Sequence, residues 1–283
     1  MAEINLAGLK LKNAVMPASG TFGYGAEYAD FFDLSRLGAI VTKTITLKPR
    51  AGNPMPRLAE VPNGLVNSIG LQNDGIIHFL KTHLPYLKKI KTNLIVNIAG
   101  ETVAEYAKIT KLLDRYKDID AFEVNISCPN VKKGGMAFGA DPATTAAVIA
   151  AVRKATKKPV IAKLTPNVKD ITVIAKSAAQ GGANALSLIN TIVHAAPVPG
   201  TKKIVRGGLS GPTIKPIALQ LVAEAVKAVD IPVIGIGGIM NTQDALEFLN
   251  AGAKAIQVGT ANFVNPMTMI EIIEGLSNFN FRP

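Results

Sequence analysis

Residues 231–260 read IPVIGIGGIMNTQDALEFLNAGAKAIQVGT and contain one complete strand–helix–strand unit. The apolar runs 232–237 and 255–260 predict strands, and the amphipathic segment Thr242–Asn250 between them predicts a helix. Near-continuous apolar strands are typical of a parallel sheet that is covered on both faces. The unit therefore predicts two parallel strands joined by a helix.

The same alternation runs along the rest of the chain. Further apolar runs predict strands at 14–19, 39–46, 94–99, 121–127, 160–165 and 185–190. Further helices are predicted at Val103–Tyr116, Thr144–Thr156, Ile171–Gln180 and Pro216–Val229. Eight similar units favour a single α/β domain over residues 1–283, a (β/α)₈ TIM barrel, with a doubly wound sheet as the second interpretation. Residues 3–13 predict an N-terminal hairpin on the barrel floor.

Two connections are too long to be simple turns. Segments 47–72 and 191–212 are rich in Pro, Gly and Asn, and each follows a predicted strand. Long connections in a compact domain are usually lids or binding loops. In a barrel both would lie at the C-terminal face, where active sites form.

Composition excludes several classes of protein. Of the 283 residues 48% are hydrophobic and 18% charged, which is typical of a folded chain, and the single cysteine excludes internal disulfides and a cysteine-held iron–sulfur cluster. The start of the chain lacks a signal peptide pattern, and the uncharged segment 177–201 is too polar to span a membrane. We expect a cytoplasmic protein without membrane contact. The net charge of +11 does not predict nucleic-acid binding, because the basic residues are not interleaved with aromatic ones.

Polar residues at the predicted strand ends point to a ligand. Lys43 and Lys163 lie on apolar strands, where a lysine is costly unless it meets an anion or an electron-rich ring. Together with Asn97, Asn125 and Asn190, the two lysines favour a planar polar ligand and a phosphate in one cavity. A Schiff-base lysine, as in barrel aldolases, and lysines that simply reach the rim are the alternatives.

Glycine-rich turns follow the last two predicted strands. Gly237-Gly238 and Gly259-Thr260 stand where barrels commonly bind a phosphate through backbone N–H groups. Turns without a ligand remain the alternative. No G-x-G-x-x-G motif follows the first strand, so a mononucleotide cofactor is favoured over a dinucleotide.

Cys128 lies just beyond the fourth predicted strand, in the segment NISCPNV. A thiol at this face could serve as a nucleophile or a general base, whereas an isolated cysteine is otherwise a small buried apolar residue. A Cys–His pair with His194 stays possible, but a base is favoured. His78 and His83 lie in a helical pattern with lysines and are interpreted as solvated surface; no metal site is predicted.

Several motifs carry a resemblance to a known family. They are NSIGLQN (67–73), NISCPNV (125–131), KLTPNV (163–168), INT (189–191), GGLSGP (207–212), GIGGI (235–239) and VGTANF (258–263). In this order, over nearly the whole chain, they resemble dihydroorotate dehydrogenases. A cysteine base is similar to class 1, and the residues after NISCPNV, with GLQN, are similar to class 1B catalytic subunits. Class 1A homodimers are the nearest alternative.

The resemblance implies an FMN enzyme of de novo pyrimidine biosynthesis that oxidises dihydroorotate to orotate. Cys128 would take the C5 proton while the C6 hydride passes to the flavin. The resemblance implies a cofactor set of Ser19, Gly20, Lys43, Thr44, Asn97, Asn125, Lys163, Ile189, Gly211, Gly237, Gly238, Gly259 and Thr260. It implies a substrate set of Lys43, Asn67, Ser68, Ile69, Gly70, Leu71, Asn125, Asn130, Asn190 and Thr191.

The resemblance also implies a partner. In class 1B the electrons pass through a second subunit, which carries FAD and an iron–sulfur cluster, and finally reduce NAD. Two chains of each kind form a heterotetramer. Loop 192–206 departs from that class in being several residues shorter, which leaves open a related dehydrogenase of dihydropyrimidines. The basic charge would help to attract an anionic substrate or an acidic partner, although most of it is interpreted as solvated surface.

Overall fold

The computed structural model describes residues 3–126, 138–198 and 200–279. Over these residues the strands are β1 Ile4–Leu6, β2 Leu9–Leu11, β3 Val15–Pro17, β4 Ala39–Val41, β5 Leu58–Val61, β6 Gly64–Asn67, β7 Asn93–Ile98, β8 Ala121–Asn125, β9 Val160–Lys163, β10 Ala185–Leu188, β11 Ile192–Pro197, β12 Ile204–Ser210, β13 Val233–Ile236 and β14 Ala255–Val258. The α-helices are α1 Gly75–His78, α2 Leu84–Leu87, α3 Val103–Leu113, α4 Pro142–Ala155, α5 Ile171–Gln180, α6 Lys215–Ala228, α7 Thr242–Asn250, α8 Ala261–Val264 and α9 Thr268–Asn278. A π-helix, Phe79–His83, joins α1 to α2.

Eight parallel strands form the central sheet, in the order β3-β14-β13-β10-β9-β8-β7-β4. Apart from the closing pair of β3 and β14, the first and last barrel strands, neighbours in this sheet are successive barrel strands along the chain. A doubly wound sheet instead reverses its strand order at a switch point. The two outer strands also approach each other, since Gly38 N donates to Val15 O over 2.9 Å beside β4 and β3. The sheet is therefore nearly closed, which confirms the predicted TIM barrel and excludes the doubly wound alternative.

The helices lie where their caps place them. Thr102 accepts a hydrogen bond from Glu105 N at the start of α3, and Asn241 accepts one from Asp244 N at the start of α7. The five predicted helices are confirmed to within a few residues. For α5 and α7 both the first and the last residue are as predicted. The described residues also contain α8 and α9, which were not predicted.

Most barrel strands are shorter than predicted, although β7 has the predicted length of 6 residues. β4 ends at Val41 rather than at residue 46; Lys43 N donates to Gly23 O, and Ile45 pairs with β7 again as an isolated bridge. The ends of the apolar runs thus become the upper rim of the barrel.

The N-terminal hairpin is confirmed at the bottom of the barrel. β1 and β2 pair antiparallel. Asn93 Nδ2 donates to Lys10 O over 2.9 Å, and Lys12 Nζ donates to Ser35 O over 2.6 Å. Both contacts lie at the amino ends of barrel strands, opposite the rim.

The two long connections are not irregular loops. They contribute β5, β6, β11 and β12, which form an antiparallel sheet in the order β11-β12-β6-β5. This sheet lies over the carboxyl ends of the barrel strands and was not predicted. Within the described part of the chain, no helix combines the length and hydropathy that crossing a bilayer requires.

Candidate active site

A cavity of about 1300 Å³ lies between the carboxyl ends of the barrel strands and the four-stranded sheet. This is the end at which TIM-barrel enzymes hold their active sites. The cavity is lined by these predicted site residues: Ser19, Gly20, Lys43, Thr44, Asn67, Ser68, Ile69, Gly70, Leu71, Asn125, Lys163, Ile189, Asn190, Thr191, Gly211, Gly237, Gly238, Gly259 and Thr260. Residues far apart in the chain thus share one space, while their division between cofactor and substrate stays a prediction.

Of the predicted site residues that the structure describes, Asn97 is the one that does not line this cavity. Asn97 is fully buried below it. Cys128 and Asn130 lie outside the described residues, so their predicted roles as base and substrate ligand remain predictions.

Lys163, at the end of β9, is 3% exposed. Its Nζ donates to Ser19 Oγ over 3.0 Å and lies 3.6 Å from Glu123 Oε1. A buried ammonium is tolerated only when it is paired and hydrogen-bonded, and Glu123 supplies the negative charge. The lysine is therefore held at the cavity wall by a carboxylate beneath it and does not reach out to the rim.

Glu123 is the centre of a polar layer inside the barrel. It is fully buried on β8 and accepts hydrogen bonds from Asn97 Nδ2 (2.6 Å), Ser187 Oγ (2.9 Å) and Gln257 Nε2 (2.7 Å). Residues two apart on a strand face the same side, so Glu123 lies one layer below Asn125, which is in register with Lys163. The layer thus forms a polar floor under the cavity.

Asn97 has one satisfied and one unsatisfied end. Its amide nitrogen donates to Glu123, while its Oδ1 is buried and has no hydrogen-bond partner among the described residues. Buried polar atoms are nearly always paired. Asn97 therefore keeps a buried acceptor, one layer below the cavity, that no described residue satisfies.

The glycines beside the cavity differ in what makes them necessary. Gly238 has a φ of +73°, and a Cβ there would lie 2.8 Å from Lys215 Cβ, so the turn after β13 requires glycine in order to pack against α6. Gly259 has no positive φ, and a Cβ there would meet nothing nearer than Ala18 Cβ at 3.6 Å. Protein packing does not explain Gly259, so the space beside it is available for a ligand.

Amide side chains gather on the opposite wall. Asn190 Nδ2 lies 3.5 Å from Asn125 Oδ1, and Asn190 Oδ1 accepts from Thr191 N over 2.8 Å. Asn167 Nδ2 donates to Thr191 O over 3.0 Å. Amides present donors and acceptors side by side, as recognition of a cyclic ureide requires.

The four-stranded sheet approaches these amides closely. A Cβ at Gly208 would lie 1.9 Å from Thr191 Oγ1, so β12 can pass over Thr191 only with glycine at this position. Asn67 Nδ2 donates to Gly208 O over 3.2 Å. Asn53, which also lines the cavity, holds the predicted 67–71 segment, since its Nδ2 donates to Ser68 O over 2.8 Å.

Sequence reasoning overlooked several residues at the site. Glu123, Asn53, Asn167 and Arg206 were not singled out, and Arg206 lines the cavity from β12. His194, which the sequence offered as a possible partner of Cys128, lines it from β11. Glu123 carried a usable signal, because a carboxylate in the middle of an apolar strand requires a buried partner. Asn53 and Asn167 lie in loops and carried none.

Comparisons with known proteins agree with this geometry. The dihydroorotate dehydrogenase family model matches residues 1–279. The protein named dihydroorotate dehydrogenase B (NAD(+)), catalytic subunit, from Thermoanaerobacter sp. (strain X514) is 55% identical over 281 residues, covering 98% of this chain and 93% of the relative. Proteins of the same name from Pelobacter propionicus (53% over 280 residues; 98% and 92%) and Bacteroides thetaiotaomicron (50% over 281 residues; 98% and 93%) are similar over the same extent. The chain belongs to the dihydroorotate dehydrogenase family.

Proposed function

We propose that this chain is the catalytic subunit of an NAD-linked dihydroorotate dehydrogenase, which oxidises (S)-dihydroorotate to orotate in de novo pyrimidine biosynthesis. The relatives that match 98% of the chain carry this name. The structural observation that supports the proposal is the cavity of about 1300 Å³ at the barrel rim, which has Lys43 and Lys163 on its wall beside a group of asparagines.

The residues around the cavity fit FMN. The space beside Gly259 suits a phosphate, and the buried ammonium of Lys163 suits a ring that gains negative charge. The proposed cofactor set is the predicted one except for Asn97, which is buried below the cavity and holds Glu123 under Lys163. When bound, FMN supplies the two-electron acceptor for the hydride that leaves C6 of dihydroorotate.

The chain's own residues orient the substrate and move its proton. The amides of Asn67, Asn125 and Asn190 bind the ureide edges, and Lys43 neutralises the substrate carboxylate. Cys128 takes the C5 proton; this role rests on the resemblance of NISCPNV, because the residue lies outside the described ranges. The four-stranded sheet covers the cavity and excludes water.

Reoxidation requires a second subunit. The words "catalytic subunit" in the relatives' names imply one. We propose that it carries FAD and an iron–sulfur cluster, and that two chains of each kind form the complex. The single cysteine of this chain supports the division of labour, because a cysteine-held cluster needs several thiolates.

Anaerobic flavin spectroscopy tests the proposal. The purified chain should carry a flavin that dihydroorotate bleaches, whereas dihydrouracil should leave it oxidised. Fumarate should reoxidise it slowly, and NAD⁺ rapidly only when the partner is added. A colourless protein, or bleaching by dihydrouracil alone, would overturn the assignment, and rapid reoxidation by fumarate would replace it with class 1A.

The aldolase alternative is not favoured. Family membership accounts for the whole chain, and the Lys163 ammonium is paired with Glu123 and donates to Ser19. A Schiff-base lysine attacks a carbonyl with a free amine, whereas Lys163 Nζ is engaged by Ser19 Oγ and lies beside Glu123.

A further inference from the structure

A second group of side chains that can bind a ligand lies outside the barrel, where the helix after the first long connection widens. Asp74, His78 and His83 each offer one ligand atom, and these atoms lie within 4.8 Å of one another. None of the three lines the active-site cavity.

The widened turn brings the two histidines together. Residues five apart in a regular α-helix are separated by about 140° around the axis. Between His78 and His83 the chain instead forms the π-helix Phe79–His83, and the ring centroids lie 5.2 Å apart. Pro85 gives a local cause, because it has no N–H for the carbonyl four residues earlier and its ring would clash with that carbonyl. π-Bulges are frequent at functional sites.

The sequence suggested that His83 is solvated surface, but the structure holds its side chain in place. Its ring stacks on Tyr24 with centroids 3.7 Å apart, and its side chain is 23% exposed. Its Nε2 is buried and makes no hydrogen bond within the described residues. A fixed imidazole with an unsatisfied nitrogen is a preorganised ligand.

Asp74 faces the same nitrogen. As the residue before α1 it would be expected to cap the helix, yet it makes no side-chain cap hydrogen bond, and Asn73 Oδ1 accepts from Gly75 N instead. Asp74 Oδ2 lies 3.9 Å from His83 Nε2, which is too long for a hydrogen bond. The carboxylate and the imidazole thus face each other across a gap.

We propose that Asp74, His78 and His83 bind a divalent transition-metal ion of the Zn²⁺ type. Zinc accepts imidazole nitrogen and carboxylate oxygen at about 2.0–2.2 Å, which places tetrahedral ligand atoms about 3.3 Å apart. Side-chain rotations at the exposed Asp74 and His78 would have to bring the ligand atoms closer by up to about 1.5 Å to reach this spacing. Two imidazoles and a single carboxylate favour zinc, nickel or copper over magnesium or calcium, which prefer oxygen ligands.

The bound ion would fasten the end of the first long connection. Asp74 follows the predicted substrate segment 67–71 and Asn73, whose side chain donates to Leu71 O over 2.8 Å. Cross-linking Asp74 to the π-helix would therefore restrain this side of the cavity without touching the ligand inside it. The inference does not depend on the proposed reaction, because metal binding is measured without substrate.

Isothermal titration of the tag-free, flavin-loaded chain with ZnCl₂ tests the site. One ion should bind per chain, with an affinity in the micromolar range, and H78A and D74N should each weaken it at least tenfold. Both side chains are exposed, so these variants should keep the wild-type unfolding temperature in metal-free buffer. H194A removes the remaining histidine and C128A the only thiol, and both variants should bind zinc like the wild type.

Cu²⁺ in place of Zn²⁺ gives an independent measurement. Its electron paramagnetic resonance spectrum should show two nitrogen ligands in the wild type and one in H78A. Any of three results would overturn the proposal. Zinc binding could be unchanged in H78A and D74N, it could be lost in C128A or H194A, or it could fail to saturate below millimolar zinc.

Discussion

Glu123 Oε1 lies 3.6 Å from Lys163 Nζ inside the barrel, where the side chains are 0% and 4% exposed. The pair joins two layers: the polar floor, in which Glu123 accepts from three neutral donors, and the cavity wall, which Lys163 completes. Charge neutrality in the core thus depends on a residue that belongs to the site above it.

The E123Q variant should be strongly destabilised. The substitution removes the negative charge beside a buried ammonium. It also replaces one carboxylate oxygen by an NH₂ group, which cannot accept the hydrogen bonds that this oxygen accepted. Breaking a buried pair on one side costs about 3–5 kcal/mol. Denaturant unfolding of the flavin-free protein measures the loss.

The double variant E123Q/K163M serves as the control. Replacing the lysine removes the unpaired charge, so the double variant should be more stable than E123Q alone. Equal stabilities of the two variants would mean that the pair is not coupled and that Glu123 acts only through its neutral donors.

The G259A variant should fold normally and lose affinity for FMN. A Cβ there meets only Ala18 Cβ, at 3.6 Å, but it extends into the space proposed for the phosphate. We expect an unchanged unfolding temperature and at least tenfold weaker FMN binding, followed by fluorescence titration of the apoprotein.

G238A is the matched control for that prediction. At a φ of +73° and with Lys215 Cβ 2.8 Å away, the added methyl strains the fold itself, so the unfolding temperature should fall. If G259A bound FMN with wild-type affinity, the proposal that the phosphate lies beside Gly259 would be wrong.

The barrel was predictable because its signal is local. Each barrel strand is a short apolar run, and each helix of the α5 or α7 type has a cap and an apolar stripe that period 3.6 reveals. Parallel strands bring their carboxyl ends to one rim, so the shared position of Lys43, Asn125 and Gly259 also followed from the sequence.

The covering sheet and the polar floor were not predictable in the same way. β6 pairs with β12, about 140 residues away, and the close approach depends on Gly208 passing over Thr191. The sequence shows glycines in a long connection, but it does not reveal which residues they contact in the folded chain. Asn97 was assigned to the rim, although its register opposite Glu123 places it one layer lower.

The K163M variant should impair flavin reduction more than flavin binding. The lysine supplies positive charge where the reduced ring becomes anionic, and losing one such group typically costs about 10²-fold in rate. Anaerobic stopped-flow with dihydroorotate should show this loss, together with a more negative reduction potential of the bound flavin. Wild-type values in both measurements would place Lys163 away from the ring. In the wild-type protein, covalent trapping of Lys163 by borohydride with a carbonyl substrate would favour the aldolase instead.

The C128A variant should retain its flavin and lose turnover. A missing general base typically costs about 10²–10⁴-fold. C128S should keep a small activity that rises with pH, because a hydroxyl loses its proton less readily than a thiol. Near-normal turnover in C128A would contradict the assigned base.

Asp170 gives a test of stability against pH at the start of α5. Its Oδ1 accepts from Thr172 Oγ1 over 2.7 Å and from Thr172 N over 2.8 Å, and these bonds hold the pKa of Asp170 below its ordinary value of 3.8. A lowered folded-state pKa contributes stability above the pKa of the unfolded chain, and that contribution disappears as the pH falls through the folded value. D170A should therefore unfold a few degrees lower than the wild type at pH 7, and the difference should narrow once the pH drops below about 3.8. D170S, which keeps a capping oxygen without a charge, should be more stable than D170A by an amount that does not change with pH, because neither variant can titrate at this position. A difference between the wild type and D170A that stays constant as the pH falls below about 3.8 would mean that the charge of the Asp170 carboxylate contributes nothing to stability.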